Sequence, residues 1–128
     1  MDYKFPNLSK LIHLHNNARS NSWLHRLNPL KENTALMNYA HKWAVHMADS
    51  NKLYHSDMFG IMSMGFSLVG ENIAMGQQTE ESVMKSWLSS LGHRKNIMNK
   101  AFTDIGCGFA YADDDTTYWC VCFGSIKK

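Results

Sequence analysis

The 128-residue sequence predicts an α+β fold in which helices pack on an antiparallel sheet. Apolar residues recur three and four apart through the first three quarters of the chain, the period of a helix with one buried face. From Ile105 the period changes, and two β-rich runs flank a polar turn. Helices precede and follow the strands without strict alternation, which sets the chain apart from βαβ architectures.

Leu8, Leu11, Ile12, His15 and Ala18 make the first helical face, with Asn7 or Ser9 as its cap. Leu36, Tyr39, Ala40, Trp43, Ala44 and Met47 make a stronger second one, opened by Asn33 or Thr34. A third starts at Thr79, where Glu80 and Glu81 suit the positive end of a helix. It runs through Val83, Trp87, Leu88 and Leu91 until Gly92 stops or bends it. A short strand is expected near Phe66–Val69, just before Gly70-Glu71-Asn72-Ile73-Ala74. Ile105–Tyr111 and Tyr118–Phe123 then form a hairpin around the turn 112–117. With Tyr111 opposite Tyr118, Cys107 faces Cys122, and Cys107, Cys120 and Cys122 share one face.

Length and charge bound the function. One domain spanning 1–128 is expected, large enough to fold without disulfides or metal. Thirteen Lys and Arg against eleven Asp and Glu are scattered and nearly balanced, so a nucleic-acid partner is not expected. No apolar run is long enough to cross a membrane. The opening residues Met1–Pro6 hold no secretory signal core, which leaves a cytoplasmic protein or one whose signal has been removed. Three cysteines confined to the last quarter do not form a secreted disulfide framework.

Polar residues set in apolar surroundings mark the candidate chemistry. His55 follows the second helix, Glu71 interrupts an apolar run, and His93 follows Gly92. Two imidazoles and a carboxylate are the raw material of a metal site or an acid–base site. Equally, the histidines are structural and Glu71 accepts backbone N–H groups at a tight Gly70 turn.

Five sequence blocks then carry a family resemblance. Gly70-Glu71-Asn72-Ile73-Ala74, Trp87 with Gly92-His93-Arg94-Lys95-Asn96-Ile97-Met98, His55-Ser56, the closing hairpin, and His15-Asn16-Asn17-Ala18-Arg19 resemble the CAP domain. That family takes in cysteine-rich secretory proteins, venom antigens and plant pathogenesis-related proteins, and the chain looks most like its compact bacterial branch. The resemblance implies a three-layer α-β-α sandwich with a small antiparallel sheet and a central cleft. There His55 and His93 match the histidines that hold a divalent metal such as zinc, and Glu71 matches an acidic residue. Ser90 stands where many relatives carry a second acidic residue; Ser90, Asn72 and Asn96 are expected to line the cleft.

The implied function is a binding or effector module, secreted by analogy, with a protein or lipid ligand and a monomeric or weakly dimeric state. In a second reading Glu71 is the base of a metal-assisted hydrolase acting on peptide or cell-wall material, or else a third ligand or the partner that fixes a histidine tautomer. A third makes the Phe59–Leu68 loop, rich in Met and Phe, a sterol or lipid groove.

Other features are assigned to structure. His13 with His15, and His41 with His46, point to different helix faces; Asp113-Asp114-Asp115 is a solvated turn; Trp23, Trp43, Trp87 and Trp119 fall on apolar faces. Asn7-Leu8-Ser9 fits a glycosylation sequon. For the cysteines, packing as small apolar residues and a cross-strand Cys107–Cys122 disulfide both stand open, whereas a zinc site lacks a fourth ligand on the hairpin.

Overall fold

Side-chain caps set the helix starts. In the computed structural model, which describes residues 4–22 and 27–126, Asn7 accepts from the Lys10 N–H and opens α1 (Leu8–Ser20). Asn33 does the same for Leu36 and opens α2 (Thr34–Ser50). Thr79 and Ser82 exchange bonds in a capping box ahead of α4 (Glu80–Leu88). Between α2 and α4 lie the single turn α3 (Phe59–Met62) and the long strand β2 (Phe66–Met75). After α4 come α5 (Leu91–Ile97), β3 (Asp104–Tyr111) and β4 (Thr117–Ile126).

The four strands lie in the order β1-β3-β4-β2, where β1 (Lys31–Glu32) runs parallel to β3 and the other pairings are antiparallel. The sheet is therefore mixed rather than wholly antiparallel. Its pleat sorts side chains into two cores. Ile105, Cys107, Phe109, Trp119, Val121 and Phe123 face α1, α4 and α5; Tyr118, Cys120 and Cys122 face α2. Helix, sheet and helix thus form three layers. Trp87 ties α4 to the sheet by donating to the Ile73 carbonyl at 3.0 Å.

Several expectations need correction. The third helix breaks at Ser89-Ser90 rather than at Gly92: the Ser89 hydroxyl bonds back to the Lys85 carbonyl, and Ser90 is extended and opens α5. His93 accordingly sits in the first turn of a helix, not after one. Glu71 lies inside β2, so no Gly70 turn surrounds it. The Phe59–Leu68 segment is α3 followed by the first residues of β2.

The hairpin register slips by one residue from the expected pairing. Tyr111 pairs with Thr117, Gly108 with Cys120, Gly106 with Cys122 and Cys107 with Val121. A shift of one flips every side chain, so Cys107 lies on the face opposite Cys120 and Cys122, which excludes the Cys107–Cys122 bridge. All three cysteines are free and buried. Two glycines fix this choice. A Cβ on Gly106 would come within 2.2 Å of the Leu36 backbone, and one on Gly108 within 2.3 Å of Ala40. Only a glycine face lets α2 lie this close to β3. Among the tryptophans, Trp87 and Trp119 are buried and Trp43 half-buried; Trp23 lies outside the described residues.

Candidate functional site

The sheet edge supplies the carboxylate. On β2, Glu71 is opposite Cys122 of β4, and its side chain is wholly buried. Burying a carboxylate is costly unless its oxygens are satisfied, and three donors satisfy this one. The Ser56 N–H and His55 Nδ1 meet Oε1, each at 2.9 Å, and the Ser56 hydroxyl donates to Oε2 at 2.5 Å. His55 and Ser56 belong to the connection between α2 and α3, so the carboxylate anchors that connection to the sheet.

His93 arrives from the other side on α5. Two amides hold this helix against β2: Asn72 Nδ2 donates to the His93 carbonyl at 3.0 Å, while Asn96 Nδ2 donates to Asn72 Oδ1 at 2.9 Å and to the Glu71 carbonyl at 3.3 Å. Gly70 lies under this contact, where an added Cβ would stand 3.0 Å from Asn96 Oδ1 and 2.8 Å from the Phe102 ring.

The result is an open cleft of about 270 Å³ lined by His55, Glu71, Asn72, Ser90, Gly92, His93 and Asn96. His55, Glu71 and His93 thus line one cleft with Ser90, Asn72 and Asn96, and among the three the hydrogen bond runs between His55 and Glu71. Burial, then the nearby His55, depresses the pKa of His93 and favours its neutral form. Its Nδ1 is enclosed and has no hydrogen-bond partner among the described residues. His55 is more open, with 58% of its side chain exposed.

This geometry fixes a tautomer. A carboxylate oxygen at Nδ1 calls for a proton there, so in the neutral imidazole the lone pair is on Nε2 of His55, the arrangement common to metal-ligating histidines. The donor set of two imidazoles with a carboxylate behind one of them suits a divalent ion of intermediate softness such as zinc.

Sequence reasoning missed the part played by Ser56. It provides two of the three hydrogen bonds to Glu71, yet its only signal is its place beside His55. It also missed Cys120 and Cys122 as neighbours of the site. The Glu71 carboxylate and the two thiols, all buried, have ligand atoms within 4.8 Å of one another. Two other histidines are engaged elsewhere: His15 is buried in the core against Trp87 and Phe123, and His46 packs on Trp43. Asn7 of the sequon is engaged as the α1 cap.

Comparison with known proteins gives a consistent picture. The family model described as Cysteine-rich secretory protein family, CAP, matches residues 12–123. YkwD of Bacillus subtilis, an uncharacterized protein, is 37% identical over 108 residues, a match covering 78% of this chain and 41% of YkwD. This chain therefore spans about two fifths of that relative. An outer surface protein of Borrelia burgdorferi superposes with a TM-score of 0.84 at 23% identity, covering 94% of this chain and 92% of its own. NaASP2, solved with Zn2+, superposes with a TM-score of 0.72 at 16% identity, covering 93% and 79%. Among the described residues, no helix is long and apolar enough to cross a membrane.

Proposed function

The chain belongs to the cysteine-rich secretory protein (CAP) family, and from that premise we propose that it is an extracellular binding or effector module whose cleft takes a divalent metal through His55 and His93. The observation that carries this reading is the 2.9 Å contact between Glu71 Oε1 and His55 Nδ1. It makes Glu71 a positioning residue. A fold relative solved with Zn2+ supports the ion class, and one described as an outer surface protein supports the compartment. A divalent cation in the cleft supplies a Lewis-acidic anchor for an oxygen-bearing group of a partner.

The same contact weighs against a hydrolase in which Glu71 is the general base. Three hydrogen bonds occupy most of the roughly four acceptor positions of its carboxylate. A base needs to reach a water, and this one is wholly buried beneath His55 and Ser56. Binding without turnover is the function this arrangement fits.

The test is a zinc titration of chelator-stripped protein, read by calorimetry and by the ring nitrogen resonances of the two histidines. Micromolar or tighter binding that moves the His55 and His93 resonances, with that heat lost in H55A/H93A, is expected. Unmoved resonances at saturating zinc overturn the reading. In E71Q the fold should persist while affinity drops about 10- to 100-fold, the usual cost of losing a carboxylate behind a metal-bound histidine.

A second reading rests on exposed apolar residues of α3 and of the chain that leads into and begins β2. Phe59 is 71% exposed, and Met62, Met64 and Leu68 are each 42% or more exposed, an adaptable apolar patch suited to lipid. If lipid is the ligand, M64K lowers vesicle or sterol binding and H93A leaves it unchanged. Phe66 is unsuited to that test: it is buried over Gly124.

A further inference from the structure

We propose that Cys120, Cys122 and Glu71 form a second metal site, behind the cleft, for a thiophilic cation of the zinc and copper(I) class. The two thiols stand at alternate positions of β4 on its α2-facing side, wholly buried, with their Sγ atoms 3.8 Å apart. Glu71 enters from β2, opposite Cys122.

The sulfur separation decides between the two reactions open to such a pair. A disulfide needs sulfurs about 2.05 Å apart and Cβ atoms about 3.8 Å apart. Alternate residues of a strand are separated by about 6.6 Å along its axis, the far limit for a bridge. Closing one would pucker β4 in the middle of the sheet. A metal ion makes no such demand. An ion about 2.3 Å from each sulfur in tetrahedral geometry spans sulfurs about 3.8 Å apart, the separation already present.

The carboxylate adds a third ligand and leaves the fourth tetrahedral position to a small donor carried in with the ion. Its oxygen lies within 4.8 Å of both sulfurs and has to close by roughly 1 Å to share an ion with them. Ser56 and His55 leave one of its roughly four acceptor positions unused.

Charge favours a cation here. The Glu71 carboxylate is a buried anion beside the two thiols. An ion that binds releases both thiol protons to solvent and takes up two thiolates, whose charge the two charges of zinc offset in full and the single charge of copper(I) by half. Soft sulfur ligands select zinc or copper(I) over magnesium or calcium. Glu71 would then touch both centres, its Oε1 on His55 in front and its free acceptor position on the ion behind.

The decisive experiment separates this site from the cleft by using the H55A/H93A variant, reduced and stripped of metal, so that it stands or falls independently of the imidazole site. Cobalt(II) is added to the folded protein and, in parallel, during refolding, because a buried site admits an ion only when the chain opens. One equivalent giving a thiolate-to-cobalt charge-transfer band is expected, unchanged in C107A and lost in C120A/C122A. X-ray absorption of the zinc-loaded H55A/H93A protein should show two sulfurs at about 2.3 Å, a measurement independent of whether the cysteine variant folds. No band by either route, a band that survives C120A/C122A, or a zinc shell without sulfur overturns the proposal.

Discussion

At the residue scale, Glu71 and His15 show how burial turns a side chain into a determinant of stability. Glu71 gathers its three donors as an acceptor only. A glutamine there brings an N–H₂ against groups that already donate, so E71Q should lose about 1–3 kcal/mol, read as a lower urea midpoint with an unchanged slope. His15 contributes strongly to the pH dependence. Burial, opposed by its bond to the Leu11 carbonyl and aided by the nearby Arg19 charge, lowers its pKa from 6.5 to about 4. The unfolded chain takes up the proton near pH 6.5, whereas the folded one resists until about 4. Stability from this group is therefore intact above the unfolded value and declines as pH falls across that window. The full loss approaches about 3 kcal/mol, at roughly 1.4 kcal/mol per pH unit between the two values. Unfolding midpoints between pH 7 and pH 4 should fall in the native chain and flatten in H15Q; equal slopes in both would assign the decline elsewhere.

At the scale of elements, legibility followed length and period. The faces of α1 and α2 and the start of α4 were readable because each had several apolar residues in helical spacing and a capping residue. A two-residue β1, a one-turn α3 and a seven-residue α5 are too short to show a period, and β1 exists only because β3 offers it a parallel edge. The hairpin register was not legible for a different reason. Ala112 and Thr116 close the turn, with Asp115 at φ 69°, a loop one residue shorter than the composition of 112–117 suggested. What then selects the register is the approach of α2, which demands glycine on one face of β3. G108A should test this directly. Its methyl would meet the Ala40 backbone at 2.3 Å, a clash that rotamer changes cannot relieve, so a loss of at least about 3 kcal/mol, the upper end for overpacking, is expected. G92A, whose Cβ has open space, is the control and should stay near the native midpoint. A G108A protein as stable as native would show that α2 can back away, and that the glycine face does not set the register.

Across the whole molecule, the cleft depends on two segments far apart in sequence being held to one sheet, and this is where the family resemblance saw further than periodicity. His55, Glu71 and His93 come from three elements, and spacing along the chain carries no sign that they meet. The resemblance supplied that, together with the pattern His15-Asn16-Asn17-Ala18-Arg19, whose physical role the structure now explains. Asn16 pairs through its amide with both the N–H and the carbonyl of Leu30, at 2.7 and 3.1 Å, and so places the chain that enters β1. Arg19 is buried at the other end of α1. Its guanidinium donates to the carbonyls of Asn28, Ile97 and Asn99, each at 2.9 Å, and of Phe102 at 3.5 Å. The Ile97 and Asn99 carbonyls belong to the end of α5 and the turn after it. Arg19 thus ties α1 to the helix that carries His93, and the fixed fork of its donors is what reaches several carbonyls at once. A lysine offers a single point of charge and leaves most of them unpaired. R19K should therefore lose about 2–4 kcal/mol, on the scale of one to three kcal/mol for each buried polar group left unsatisfied. Because α5 would be released at its far end, amide exchange in Leu91–Ile97 should rise more than exchange in α2. Uniform exchange across both helices would instead make Arg19 a general support of the fold, with no special hold on the histidine helix.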